Sequence, residues 1–265
     1  MPSRLFVIGD SFCEPPRVID KTPTWPSMVA KQLSNKLGKE VLLENYSIVG
    51  CSQDYCWEAL NNILEYDITQ DDYLIIGLTH PNRVWYFDDK PHLSNAHVMD
   101  MKEYIGRDEA KAVEYYVRYI QRPRLDTIHV TNRMGYVAYQ VLKKTLHTPL
   151  LLKCFEQFID QGTDWSELNF ANGALSDIQA EEFSDHIQKC HSDPNNFWKG
   201  KDGRYNHMCL SNHKILADKI VNSLLTNDIC DLTKGFKERL IKEDALTDNN
   251  FIQKELDVNA TLNWK

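Results

Sequence analysis

Apolar positions along the chain fall into two kinds of pattern, short solid runs and longer stripes with a four-residue repeat. Residues 5–8, 41–48, 73–78 and 149–155 are runs of strand length, and the middle ones are rich in Ile, Leu and Val, as strands covered on both faces require. Between the first two runs Trp25, Val29, Leu33 and Leu37 recur every fourth residue, with Pro26 where a first helical turn tolerates it, which predicts a helix over 25–37. Residues 52–66 repeat the pattern, with Ser52 or Asp54 as N-cap and Trp57, Leu60, Ile63 and Leu64 as the inward face. A last amphipathic helix is predicted over 210–225, capped by Ser211 and packing through Ile215, Leu216, Ile220 and Leu224. Strands alternating with helices predict a doubly wound α/β fold around a parallel sheet.

The pattern changes after Leu78. Residues 83–146 contain no convincing strand but hold helical stretches around 109–121 and 131–144, so they are expected to form a helical insertion. Its aromatics, Trp85, Tyr86, Phe87, Tyr104, Tyr115, Tyr116 and Tyr119, have spacings that favour packing over the lining of a cleft. Beyond Asp231 the chain is charged and weakly periodic, and 231–265 is expected to be a helical extension or tail appended to one domain over 1–230. No internal repeat or low-complexity tract is present.

A length of 265 residues suffices for one large domain that buries roughly three quarters of the extended chain's surface. The 30 basic and 38 acidic side chains leave a net charge of −8, which disfavours nucleic acid or an anionic membrane as the main partner. No stretch approaches membrane-spanning length and the first apolar run is too short for a signal sequence, so a cytoplasmic location is expected. The seven cysteines are scattered and odd in number, which suits reduced thiols; Cys51 and Cys56 lack a second close pair, and the histidines show no ligand spacing, so neither a metal nor a cofactor is expected.

The chemistry resides in Gly9-Asp10-Ser11-Phe12, directly behind the first apolar run, and in the segment from Tyr205 to Ala217 that contains His207 and His213. A buried strand that turns sharply into a serine delivers the hydroxyl to the carboxyl edge of a sheet, where α/β folds place their sites. Serine is a weak nucleophile at neutral pH and needs a base and donors for the developing oxyanion. Ser11 is the candidate nucleophile and His207 the candidate base. The backbone N–H groups of Ser11 and Gly50, the latter between the second strand and the second helix, are the first candidate oxyanion donors. His213, at a helix start, reads as structural. Taken alone, Asp10 and Ser11 would be ordinary helix-capping residues.

These residues resemble the SGNH (GDSL-like) esterase and lipase superfamily. Gly9-Asp10-Ser11-Phe12 is similar to its first block, Gly50 falls at the oxyanion glycine of the second, and His207, Asn212-His213 and Ala217 follow the layout of the last. The resemblance spans about residues 4 to 225 and implies a single-domain, three-layer α/β/α sandwich of the flavodoxin-like kind. Two positions depart from it. Thr79 stands where the third block has an asparagine whose side chain is a third oxyanion donor, with Asn82 near enough in sequence to substitute. Arg204 stands where the acid that orients the histidine is found, which leaves Asp202 as the nearest carboxylate, or else a Ser–His dyad held by a backbone carbonyl.

The resemblance implies a serine esterase acting on a small-molecule or carbohydrate ester with a short acyl group such as acetyl. The departures leave room for an SGNH-fold binding or structural module with weak or lost catalysis, and the same groups also suit an O-acyltransferase. Oligomeric state is not legible in the sequence.

Overall fold

The computed structural model describes residues 2–13, 24–48, 51–65, 68–79, 83–85, 91–94, 140–154, 168–178, 208 and 210–236. Five parallel strands form the central sheet: β1 (Ser3–Ile8), β2 (Val41–Asn45), β3 (Tyr73–Leu78), β6 (Leu150–Lys153) and β7 (Asn169–Ala174), in the order β2-β1-β3-β6-β7. Among the described residues three long helices accompany it, α1 (Trp25–Leu37), α2 (Gln53–Glu65) and α3 (Leu210–Thr226). This is the doubly wound order in which β1 and β3 flank the switch point, where ligands settle at the carboxyl ends of the strands.

Side-chain alternation divides the core into two layers. Leu5 and Val7 of β1, Tyr73 and Ile75 of β3, and Leu150 and Leu152 of β6 join Trp25, Val29 and Leu33 of α1 and Leu216, Ile220 and Val221 of α3 in one cluster. The intervening residues Phe6, Ile8, Leu74, Ile76 and Leu151 join Cys56, Leu60 and Ile63 of α2 in the other. Because neighbouring side chains on a strand point to opposite faces, both faces must be apolar, which is why β1 and β3 read as solid runs. The result is the predicted three-layer α/β/α sandwich.

Helix boundaries follow local chemistry. In α1 Pro26 occupies the first turn, and Gly38 ends the helix at φ 63°, the left-handed conformation that glycine adopts without a Cβ penalty. In α2 the Ser52 hydroxyl accepts the Tyr55 N–H at 3.4 Å, selecting Ser52 over Asp54 as the cap. Helix α3 begins at Leu210, as expected, and runs to Thr226, so Ser211 lies within its first turn and not at its cap.

Three strands were not expected from the sequence. Residues Arg83–Trp85 (β4) and Pro91–Ser94 (β5) pair as a small antiparallel hairpin where no strand was expected. The fifth sheet strand, β7, has the sequence Asn-Phe-Ala-Asn-Gly-Ala, with no run of large aliphatic residues to announce it. Its polar positions are met by tertiary partners: buried Asn169 donates to Ser223 Oγ at 2.9 Å and to the Asp228 carbonyl at 3.1 Å. Along its outer edge Asn172 N–H donates to the Cys230 carbonyl at 2.9 Å, and Leu232 N–H donates to the Asn172 carbonyl at 2.7 Å. Residues 230–232 thus cover an edge that would otherwise be open. Of the predicted helices within the insertion, 109–121 lies outside the described residues and 131–144 is described only from 140 onward, where 140–142 are helical; the extension is described as far as 236. Among the described residues no helix is long and apolar enough to cross a membrane.

Candidate active site

Strand β1 ends at Ile8, and after Gly9 the chain turns at once. The Cys13 N–H donates to the Asp10 carbonyl at 2.9 Å, closing a four-residue turn in which Ser11 is the first corner. Asp10 Oδ1 accepts the Phe12 N–H at 3.0 Å, so the aspartate braces its own turn. Asp10 is fully buried. Its second oxygen, Oδ2, lies 3.1 Å from the Thr79 hydroxyl, which also lies 3.0 Å from the Cys51 carbonyl. Thr79 follows β3 directly, and its N–H donates to Gln53 Oε1 at 3.3 Å. The turn after β1, the end of β3 and the start of α2 are therefore joined through side-chain hydrogen bonds at one rim of the sheet.

The turn fits because two glycines leave it space. A Cβ on Gly9 would lie 2.6 Å from Cys13 Sγ, and one on Gly77 would lie 2.5 Å from the same sulfur. Neither approach is sterically possible, so Cys13 packs down against bare backbone and pins the turn to β3.

Ser11 itself is only 7% exposed. Among the described residues neither its hydroxyl nor its N–H makes a hydrogen bond, whereas its neighbours Asp10, Phe12 and Cys13 all do. A nucleophile and an oxyanion donor need this combination, a fixed backbone with uncommitted reactive atoms.

A second set of bonds brings the start of α3 to the same turn. The indole Nε1–H of fully buried Trp25 donates to the Phe12 carbonyl at 2.8 Å, and the Trp25 backbone N–H donates to His213 Nδ1 at 3.3 Å. An accepting Nδ1 places the proton of the neutral ring on Nε2. His213, 3% exposed, is thus a structural post between α1 and α3. Met208, 1% exposed, belongs to the same apolar cluster as Phe12, Cys13 and Trp25.

Of the residues singled out by sequence, Ser11 and Thr79 meet at this rim through Asp10. Gly50, Asn82, Asp202 and His207 lie outside the described residues. On either side of Gly50, Ile48 N–H donates to the Gly9 carbonyl at 3.0 Å, and Cys51 Sγ lies 3.1 Å from that same oxygen. Three contributors were not singled out. Asp10 as the link from the turn to Thr79, Trp25 as the tether of the turn and Gln53 as the partner of Thr79 become recognisable only when elements far apart in sequence are brought together.

The cysteines around the rim are buried thiols. Burial, with Cys13 beside it, raises the Cys154 thiol well above its ordinary range; hydrogen bonding to Cys51, 3.6 Å away, and burial do the same to Cys56. Such groups pack as small hydrophobes and react slowly. No group of three or more His, Cys, Asp or Glu among the described residues is arranged to hold a metal ion.

No protein-family model and no curated protein matches the sequence. Solved structures similar to the chain include a lipase from a goat rumen metagenome (14% identity, 57% of this chain and 63% of that one, TM-score 0.33). Others are a protein described as a GDSL-like lipase from Parabacteroides merdae (12%, 84% and 96%, 0.40) and a point mutant of an acetyl-xylooligosaccharide esterase from Geobacillus (14%, 90% and 99%, 0.38). The chain spans 33%, 63% and 59% of the length of the first three structures it matches. In its Gly-Asp-Ser-Phe turn and its parallel α/β/α sheet the chain resembles the SGNH (GDSL-like) hydrolases.

Proposed function

We propose that the protein is a serine esterase that cleaves a short acyl group, such as acetyl, from a small-molecule or carbohydrate alcohol. The observation that carries this reading is Ser11, held at the corner of a braced turn at the switch point of the sheet, with its hydroxyl and N–H both uncommitted among the described residues. The tether from Phe12 through Trp25 to His213 supports His207 as its base, because it fastens the helix that begins three residues after His207 to the serine turn.

In the first step Ser11 Oγ attacks the acyl carbon as His207 takes the hydroxyl proton. The Ser11 and Gly50 N–H groups hold the oxyanion, with Thr79 or Asn82 as the third donor by position. The alcohol leaves with the proton from His207, and water activated by the same ring releases the acid. Asp202 or a backbone carbonyl orients the ring. The Thr79 hydroxyl has one proton and two acceptors at hand, Asp10 and the Cys51 carbonyl, so it reaches a substrate oxygen only by giving up both.

A fluorophosphonate probe tests the proposal. The expected result is covalent labelling of Ser11, absent in Ser11→Ala and strongly reduced in His207→Ala. Folded wild-type protein that takes up no probe favours a binding module on this scaffold. An activated acetyl ester mixed with sugar or alcohol acceptors distinguishes hydrolysis from transfer, since predominant acylation of the acceptor identifies a transferase.

A further inference from the structure

We infer that Gln53 is a catalytic residue, its side-chain NH2 donating to the oxyanion in place of the asparagine that Thr79 replaces. The inference rests on the esterase reading above and identifies the group that completes its oxyanion hole.

Gln53 is the first residue of α2, where helices normally present polar side chains to solvent, yet it is 3% exposed. Its amide orientation is settled by its partner: the Thr79 N–H is a donor, so the atom facing it at 3.3 Å is the carbonyl oxygen Oε1. That leaves Nε2 as the other end of the amide, and it is buried with no acceptor among the described residues. A buried amide donor without an acceptor is costly and rare in folded proteins, and where one persists a functional role is among the first explanations.

The position of this donor supplies the role. Thr79, to which Gln53 is bonded, touches Asp10, and Asp10 is adjacent to Ser11. The Thr79 hydroxyl is turned inward to Asp10 and the Cys51 carbonyl, so the residue at the asparagine's position serves the scaffold. The same rim therefore holds a side chain whose donor has been diverted and, one hydrogen bond away, a side chain whose donor has no acceptor among the described residues. An amide NH2 is also chemically what the asparagine would supply. When the carbonyl oxygen of the substrate becomes an alkoxide, Nε2 gains the acceptor it lacks in the resting protein, so the contact strengthens in the transition state rather than in the ground state. No atom or electron leaves Gln53; it contributes a hydrogen bond only.

The experiment uses the full chain, 4-nitrophenyl acetate and the corresponding thionoester, in which sulfur, a weak hydrogen-bond acceptor, replaces the carbonyl oxygen. Gln53→Glu keeps an oxygen for the Thr79 N–H and loses both donors; Gln53→Met, close in volume and uncharged, covers the case in which a buried carboxylate prevents folding. The expected result is a loss of about 10²–10³ in kcat on the oxygen ester with a much smaller change in KM. The ratio of oxygen-ester to thionoester rates should fall by about tenfold, because the lost donor discriminated between the two atoms. A merely structural role would slow both esters together. A Ser11-labelled, active wild type whose folded Gln53 variant keeps either its rate or its oxygen-to-sulfur ratio overturns the role of Gln53 alone. So does a collapse of that ratio in Asn82→Ala but not in the Gln53 variants. Wild-type protein that neither takes up fluorophosphonate nor turns over the ester removes the esterase reading, and this inference with it.

Discussion

Gly77→Ala tests whether the serine turn is seated by direct packing on β3. The new methyl carbon would lie 2.5 Å from Cys13 Sγ, 3.3 Å from Cys154 Sγ and 3.3 Å from the Ile8 carbonyl oxygen. The two longer approaches are tight but can be absorbed by small shifts. The first cannot, and Cys13 has little freedom to rotate away, since it is wholly buried and its N–H is fixed to Asp10. Overpacking of this kind costs about 1–3 kcal/mol, offset by the roughly 0.5–1 kcal/mol that alanine gains over glycine within a strand. A net loss of about 1 kcal/mol, and at most about 2.5 kcal/mol, follows, which lowers the melting temperature by about 2–4 °C per kcal/mol for a protein of this size. The strain falls on the turn that carries Ser11, so fluorophosphonate labelling should slow more than stability alone accounts for. Cys13→Ala removes the clashing sulfur at a cost of about 1 kcal/mol for the lost burial. The double variant should therefore be more stable than the sum of the single changes by about 1 kcal/mol or more. Thermal unfolding of the four proteins completes the cycle. Gly77→Ala at or above wild-type stability, or strict additivity in the double variant, would refute the packing account.

Asp72 and Trp25 give two further tests. Burial alone would raise the Asp72 carboxyl, but hydrogen bonds from the Arg4 side chain, the Thr69 N–H and the Arg4 N–H, together with the Arg4 charge, hold it below its usual range. A lowered folded-state value stabilises above the unfolded pKa, near 3.9, and that contribution is lost as pH falls through the folded value. Asp72→Asn should accordingly cost about 1–3 kcal/mol at pH 7, and its urea midpoint should converge with the wild type in acid; a gap that persists there would contradict the assignment. Trp25→Phe deletes the indole bond to the Phe12 carbonyl and should cost about 2 kcal/mol while slowing Ser11 labelling. Unchanged labelling in a destabilised variant would show that the tether supports the fold without orienting the serine.

Elements with a local signal could be read from the chain alone. Strands β1 and β3 are apolar on both faces, and α1 and α2 carry stripes with turn-forming or capping residues at their ends, so the layered α/β/α arrangement and the position of Ser11 behind β1 were legible residue by residue. Strand β7 was not, because an edge strand of Asn, Ala and Gly owes its stability to Ser223, Asp228 and the 230–232 segment, all more than fifty residues away. The candidate site divides in the same way. A serine after a buried strand is a local pattern, whereas the brace from Thr79 to Asp10, the tether from Phe12 through Trp25 to His213 and the buried amide of Gln53 each join groups separated by 13 to 188 positions. These contacts exist only in the folded chain, since a hydrogen bond depends on where donor and acceptor meet in space, and the spacing of residues along a chain carries no record of that.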